Sequence, residues 1–235
     1  MTTCKKRFAI KIFLTAIVCF LAADSAYPRE DLWQTLNAEI LRLSQQGKYN
    51  NAVFVAKNAV KVAEKNYGTN HPKVATSMNN LATLYRIIGR YDDAAIYYRR
   101  ALVIRENAWG QDHPSVAISL NNLAGLYRAQ GRLTQAEPLY IRALQIREET
   151  LGPDHPDVGQ SMNNLGLLYK KMGRYDEAEH LYHQALAIWE RRLGSENPNV
   201  ATVLENMAEL YNTTGRENKA DELLTRARKI RSISK

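Results

Sequence analysis

Five histidines, two cysteines, a recurring set of amides and a recurring set of cations are the side chains here with ligand-holding chemistry. His71, His113 and His155 each precede a proline. Ligands of one zinc converge to about 2 Å from the metal, and side chains repeated at long intervals do not. These three read as loop residues supporting the next helix start. His180 and His183 stand three apart on one expected helix and can face the same way. Two ligands without a third make no metal site, so neither metal nor cofactor is expected. Cys4 and Cys19 both fall near the N-terminus, leaving no thiol nucleophile and no disulfide framework in the rest of the chain. Hydrolase elbows, phosphate-cradling glycine loops and zinc-protease motifs do not occur. The reading is non-catalytic.

The amides and cations are what remain. Asn79-Asn80, Asn121-Asn122 and Asn163-Asn164 are paired, and Arg86, Arg128 and Lys170 follow them at a constant offset, with Lys171 beside the last. An asparagine amide both donates and accepts, so it suits contact with a peptide backbone. Cations stepped by packed helices, about 8–10 Å apart, would spread along a bound chain and pair with carboxylates.

These residues are positioned by a repeat. Gly47, Gly89, Gly131, Gly173 and Gly215 are 42 residues apart. The segments HPKVATSMNNLATLYRIIGRYDDA, HPSVAISLNNLAGLYRAQGRLTQA and HPDVGQSMNNLGLLYKKMGRYDEA begin at His71, His113 and His155, and a weaker copy begins at Asn197. A period of this length means stacked helix pairs, none able to bury its apolar face alone. In one unit, Val116, Leu120, Leu123, Ala124 and Tyr127 mark a first helix over 114–129, with Pro114 in its first turn, Asp112 as candidate cap and Gly131 as terminator. Ala136, Leu139, Tyr140, Ala143, Leu144 and Ile146 mark a second helix over 133–151, where Pro138 allows a slight kink. Ala94, Ala136, Ala178 and Ala220, and likewise Ala101, Ala143, Ala185 and Ala227, recur where helices must approach closely. Tyr85, Tyr127, Tyr169 and Tyr211 read as buried rings with hydroxyls near solvent.

The set Ala82, Ala94, Tyr98 and Ala101 around Gly89, matched by Ala124, Ala136, Tyr140 and Ala143 around Gly131, resembles the tetratricopeptide signature. The longer period and the strings NNLA, LY, GRY, DEAE and LGPDHPDV resemble the kinesin light chain and nephrocystin type. The resemblance is strong over 71–235 and weak over 31–70, where Glu39 sits at an expected apolar position. It implies an all-α, right-handed α-solenoid of stacked antiparallel helix pairs. The units are a divergent pair at 27–70, repeats at 71–112, 113–154 and 155–196, and a polar C-terminal cap at 197–235. It also implies a concave groove lined by the first helix of each pair. Carried over by register, the groove residues are Thr76, Asn79, Thr83 and Arg86; Ile118, Asn121, Gly125 and Arg128; Gln160, Asn163, Leu167 and Lys170; and Thr202, Glu205, Glu209 and Asn212. The first asparagine of each pair is expected to face the groove. The second ones, Asn80, Asn122, Asn164 and Asn206, are expected to bond between repeats. Glu205 and Glu209 make one end of the groove acidic, which would fix ligand direction.

Lys5, Lys6 and Arg7 precede an apolar run over 12–23 and then small residues, which reads as a signal peptide over 1–26. The run is well short of the ~20 residues that span a bilayer. An exported protein, periplasmic or extracellular, is expected; the alternative is an anchor formed by an uncleaved N-terminal segment. The net charge of +8 includes four cations in that segment, so the remainder is only mildly basic. Nucleic acid is therefore not an expected partner, and recognition of RNA by a helical repeat stands as the alternative. The leading expectation is a protein-interaction scaffold that takes a peptide segment or protein, with acidic character, in its groove.

Overall fold

The computed structural model describes residues 29–233. The expected signal peptide and both cysteines lie outside them. Among the described residues there are ten helices and no strands: α1 (Arg29–Gln45), α2 (Tyr49–Tyr67), α3 (Pro72–Ile87), α4 (Tyr91–Trp109), α5 (Pro114–Ala129), α6 (Leu133–Leu151), α7 (Pro156–Lys171), α8 (Tyr175–Leu193), α9 (Pro198–Thr213) and α10 (Glu217–Ile233). They form five antiparallel pairs stacked in sequence order. Helices α3, α5, α7 and α9 also touch one another across repeats, which the second helices do not do to a comparable extent. The closer spacing puts the first helices on the inside of the curve. α6 runs unbroken through Pro138.

Each start and stop has a local cause. His71, His113 and His155 cap α3, α5 and α7: their Nδ1 atoms accept from the N–H of Lys73, Ser115 and Asp157, each at 3.1 Å. Asn197 does the same for α9, with its Oδ1 accepting from Asn199 N–H at 2.9 Å. The cap of α5 is thus His113 and not Asp112, which lies one residue too early. The prolines follow in the first turn, where a missing N–H costs nothing. The His71 ring stacks on Tyr67 at 5.0 Å and the His113 ring on Trp109 at 4.8 Å, tying each loop to the helix before it. Both turns of a unit need a left-handed residue: Gly131 ends one at φ +75° and Gly152 the other at φ +84°.

The two alanine rows are fully buried between helices. Tyr85, Tyr127, Tyr169 and Tyr211 carry a guanidinium each: Arg90, Arg132, Arg174 and Arg216 lie 4.6, 4.3, 3.8 and 4.2 Å from the respective ring centres. The arginine after each terminating glycine therefore folds back over the tyrosine before it. Along the second helices, Arg100 pairs with Glu64 at 3.0 Å, and Arg142 with Glu106 at 2.8 Å. Arg226 pairs with Glu190 in the same register.

Candidate functional site

The inner wall is built from α3, α5, α7 and α9, and its polar residues fall into rows because the helices share one register. Two members of the asparagine row are withdrawn from the face of the wall. Asn121 is 8% exposed and Asn163 2% exposed. The second asparagine of each repeat donates to the first asparagine of the repeat before it: Asn122 to Asn79 at 2.8 Å, Asn164 to Asn121 at 3.3 Å and Asn206 to Asn163 at 2.8 Å. The expected bonding of the second asparagines between layers is present. The expected groove exposure of Asn121 and Asn163 needs correction, because both are buried with their oxygens accepting those bonds, whereas Asn79 is half-buried. A buried amide must find partners, and the next layer supplies them. The ladder begins one repeat earlier than the sequence suggested. Asn80 donates to Asn37 at 3.1 Å, although the first repeat otherwise departs from the pattern.

The positions four and seven residues on fare differently. Thr83 faces the wall, and its hydroxyl lies 2.8 Å from that of Tyr98. Arg86 and Arg128 are both half-buried. Among the described residues no carboxylate lies within ion-pair distance of either, whereas Arg100, Arg142 and Arg226 on the outer face each pair with a glutamate. The Nε of Arg128 is sealed from water without a hydrogen-bond partner. Lys170 departs from this pattern, since its Nζ sits 2.6 Å from Glu209. Glu205 is likewise taken, receiving Arg231 of α10 at 2.9 and 3.1 Å, and Arg231 also donates to Thr202 at 2.9 Å. Thr76 bonds its own helix at Pro72, and Gln160 donates to Asn164 at 3.2 Å. Lys171 donates to the Arg128 carbonyl at 3.1 Å, which pins the end of α5.

The second-helix tyrosines, Leu41 and Arg231 are wall residues that the sequence reading did not place there. Tyr98 and Tyr140 send their hydroxyls from the second helices to Thr83 and Gly125, and the Tyr182 ring packs against Gly166. Their own spacing of one repeat was the available signal. Burial pushes the Tyr140 hydroxyl pKa up, while the charge of Arg128, a hydrogen bond from it, and the charge of Arg86 pull the other way. Burial also raises Tyr182, with Glu209 adding to the rise, and its hydroxyl has no partner. Leu41 extends the row of Thr83 into the first repeat and is 60% exposed; Ile118, expected in the groove, is 42% exposed in the row of Thr76. Arg231, from the last helix, closes the acidic end.

His183 lies 3.4 Å from the Tyr211 hydroxyl, which donates to Glu179 at 2.9 Å. No group of three metal-binding side chains converges among the described residues, and no described helix is long and apolar enough to cross a membrane. The wall can therefore do two things chemically. Its central part can pair with anions, and its C-terminal part is already neutralised from within.

The family profile of the tetratricopeptide repeat matches residues 34–107, 115–182 and 163–232. A search of curated proteins finds no match. Among solved structures, a Podosopora anserina chain described as having kinesin light chain nearly identical TPR-like repeats superposes with a TM-score of 0.69 at 26% identity, over 90% of this chain and 99% of that one. BtubC (BKLC) from P. vanneervenii gives a TM-score of 0.75 at 25% identity, over 100% of this chain and 93% of that one. A Rap protein complexed with competence and sporulation factor shares the fold, with a TM-score of 0.75 at 18% identity, over 89% of this chain and 56% of that one.

Proposed function

Because this chain belongs to the tetratricopeptide repeat family, we propose that it is an exported, non-catalytic scaffold that holds a peptide segment of a partner protein against the wall of first helices. The observation that carries this reading is the pair of half-buried cations, Arg86 and Arg128, left without carboxylates on a wall whose next cation in the row, Lys170, is paired with Glu209. Holding two such charges partly out of water without counterions is unfavourable, and an acidic segment would supply them. Two exposed apolar side chains, Ile118 and Leu41, stand among the polar ones of the wall and offer apolar contact to a bound segment. Export rests on the basic and apolar segment at the N-terminus.

A photo-crosslinking amino acid placed at Thr83, and separately at Phe54 on the exposed outer face, tests the reading in cells. The expected outcome is a protein crosslink from the Thr83 site and none of the same mass from Phe54. Crosslinks from Phe54 alone would move the binding surface to the outside of the curve, and an RNA adduct at Thr83 would favour the nucleic-acid alternative. N-terminal sequencing of the protein from fractionated cells tests export. A start near residue 27 in the envelope or medium is expected, and an intact Met1 in the cytoplasm would end that part.

A further inference from the structure

Three glycines sit inside helices rather than at turns: Gly125 in α5, and Gly159 and Gly166 in α7. A mid-helix glycine costs about 1 kcal/mol relative to alanine, so each calls for a reason. Two have one in packing. A Cβ on Gly166 would lie 2.7 Å from the Tyr182 ring, and a Cβ on Gly159 would lie 3.0 Å from Trp189. Gly125 differs. A Cβ there would meet nothing nearer than the Tyr140 hydroxyl, at 3.4 Å, which is ordinary contact. The core would accept alanine at this place.

What Gly125 does instead is remove a side chain from the face of the wall. The same register holds Thr83 in the repeat before and Leu167 in the repeat after. The gap lies over the Tyr140 hydroxyl, within the influence of the Arg128 and Arg86 charges. It is also two helical turns from exposed Ile118, on the same helix. The cation of the next repeat cannot contribute, since Lys170 is bound to Glu209.

We propose that Gly125 opens a seat for one carboxylate side chain of the bound segment, held by Arg128 and Arg86 with the Tyr140 hydroxyl as the third contact, and with an apolar side chain farther along the segment against Ile118. The cationic row is then a single anion site and not an even ladder. It fixes the register of the segment by one Asp or Glu. The proposal rests on the groove reading above and narrows it.

The test uses a displayed library of random peptides of about twelve residues, panned on the full chain. Selected peptides are then titrated as pairs differing only by Asp→Asn or Glu→Gln. One fixed acidic position is expected, whose amide replacement weakens binding about 10- to 100-fold. Gly125→Leu, which copies the neighbouring repeat, and Arg128→Gln are each expected to bring that ratio close to one, with helicity and Tm retained. Lys170→Gln is expected to change it by less than about twofold. If peptides bind but the acidic preference survives Gly125→Leu, or falls as much with Lys170→Gln as with Arg128→Gln, the single seat is wrong while the groove reading stands. If no peptide is enriched, the groove reading falls and the seat with it.

Discussion

Arg105 and Arg147 occupy the register that Trp189 occupies in the next repeat. At the central junctions the arginines are buried and reach forward. Arg105 donates to Ser119 at 2.9 Å and to the Ser115 carbonyl at 3.1 Å; Arg147 donates to Ser161 and to the Asp157 carbonyl, both at 2.8 Å. Burial lowers both guanidinium pKa values, and for Arg147 Asp157 partly offsets this. At the last junction the serine has become Val203, which is fully buried, and the arginine has become Trp189. Trp189 turns back to donate to the Pro156 carbonyl at 2.9 Å, lying over Gly159 where the other repeats have alanine. The groove changes in the same direction. Central cations are free, and those at the C-terminal end are paired. A solenoid keeps its period through the small residues and caps, and each junction is then retuned by substitutions that must come in sets.

Exchanging one set for the other is the strongest way to break that comparison. Arg147→Trp alone should destabilise by about 2–4 kcal/mol, because the indole overpacks Ala117 and leaves the buried Ser161 hydroxyl short of a donor. Adding Ala117→Gly and Ser161→Val should recover most of the loss in urea unfolding. A triple variant as weak as the single one would mean that the two junctions do not interconvert by local chemistry.

The amide ladder is expected to matter next most. Asn163→Ala removes the acceptor of Asn206 from a nearly sealed site and should cost about 1–3 kcal/mol. Unchanged thermal unfolding would return Asn163 to the groove face. This is also where the sequence reading reached its end. The helices, their turns and their buried alanines were legible, because each follows from a local pattern of one residue type at one spacing. The row of Arg86, Arg128 and Lys170 was legible as a row. Its inequality was not, because whether a cation is free depends on Glu209 from the following repeat. The facing of Asn121 and Asn163 was hidden for the same reason: a helix wheel places both asparagines of a pair near the inner side, and only the neighbouring layer decides which is covered. Arg231 closing on Glu205 needed the path of the last helix.

The tyrosines offer a smaller and opposite effect. Tyr182 has a sealed, unpartnered hydroxyl, so Tyr182→Phe should stabilise by about 1 kcal/mol. Its pKa is raised by burial and then by Glu209. The corresponding stability is present below the ordinary tyrosine value near 10 and is lost as pH rises above it. The variant should therefore lose less stability than the parent between about pH 9 and 11, as followed by circular dichroism. Tyr98→Phe should behave the other way at neutral pH, since that hydroxyl has Thr83 as partner.

The smallest effect concerns a missing rung on the outer face. Arg100–Glu64, Arg142–Glu106 and Arg226–Glu190 share one register, and the fourth place holds Glu148 with Gln184 where the arginine would stand. Glu148 has its pKa raised, first by burial and then by Glu149. A carboxyl with a raised folded pKa favours the fold below its unfolded value, near 4.3, and that stability is lost as pH rises through the folded value. Gln184→Arg should supply the counter-charge and return the Glu148 titration toward the ordinary range. The gain at pH 7 should be about 0.2–1 kcal/mol, shrinking below about pH 4 and in high salt. Carboxyl NMR titration reads the first part and Tm against pH the second. A stabilisation that persists at pH 3 would have to come from packing of the arginine stem, and the absent rung would then have no electrostatic meaning.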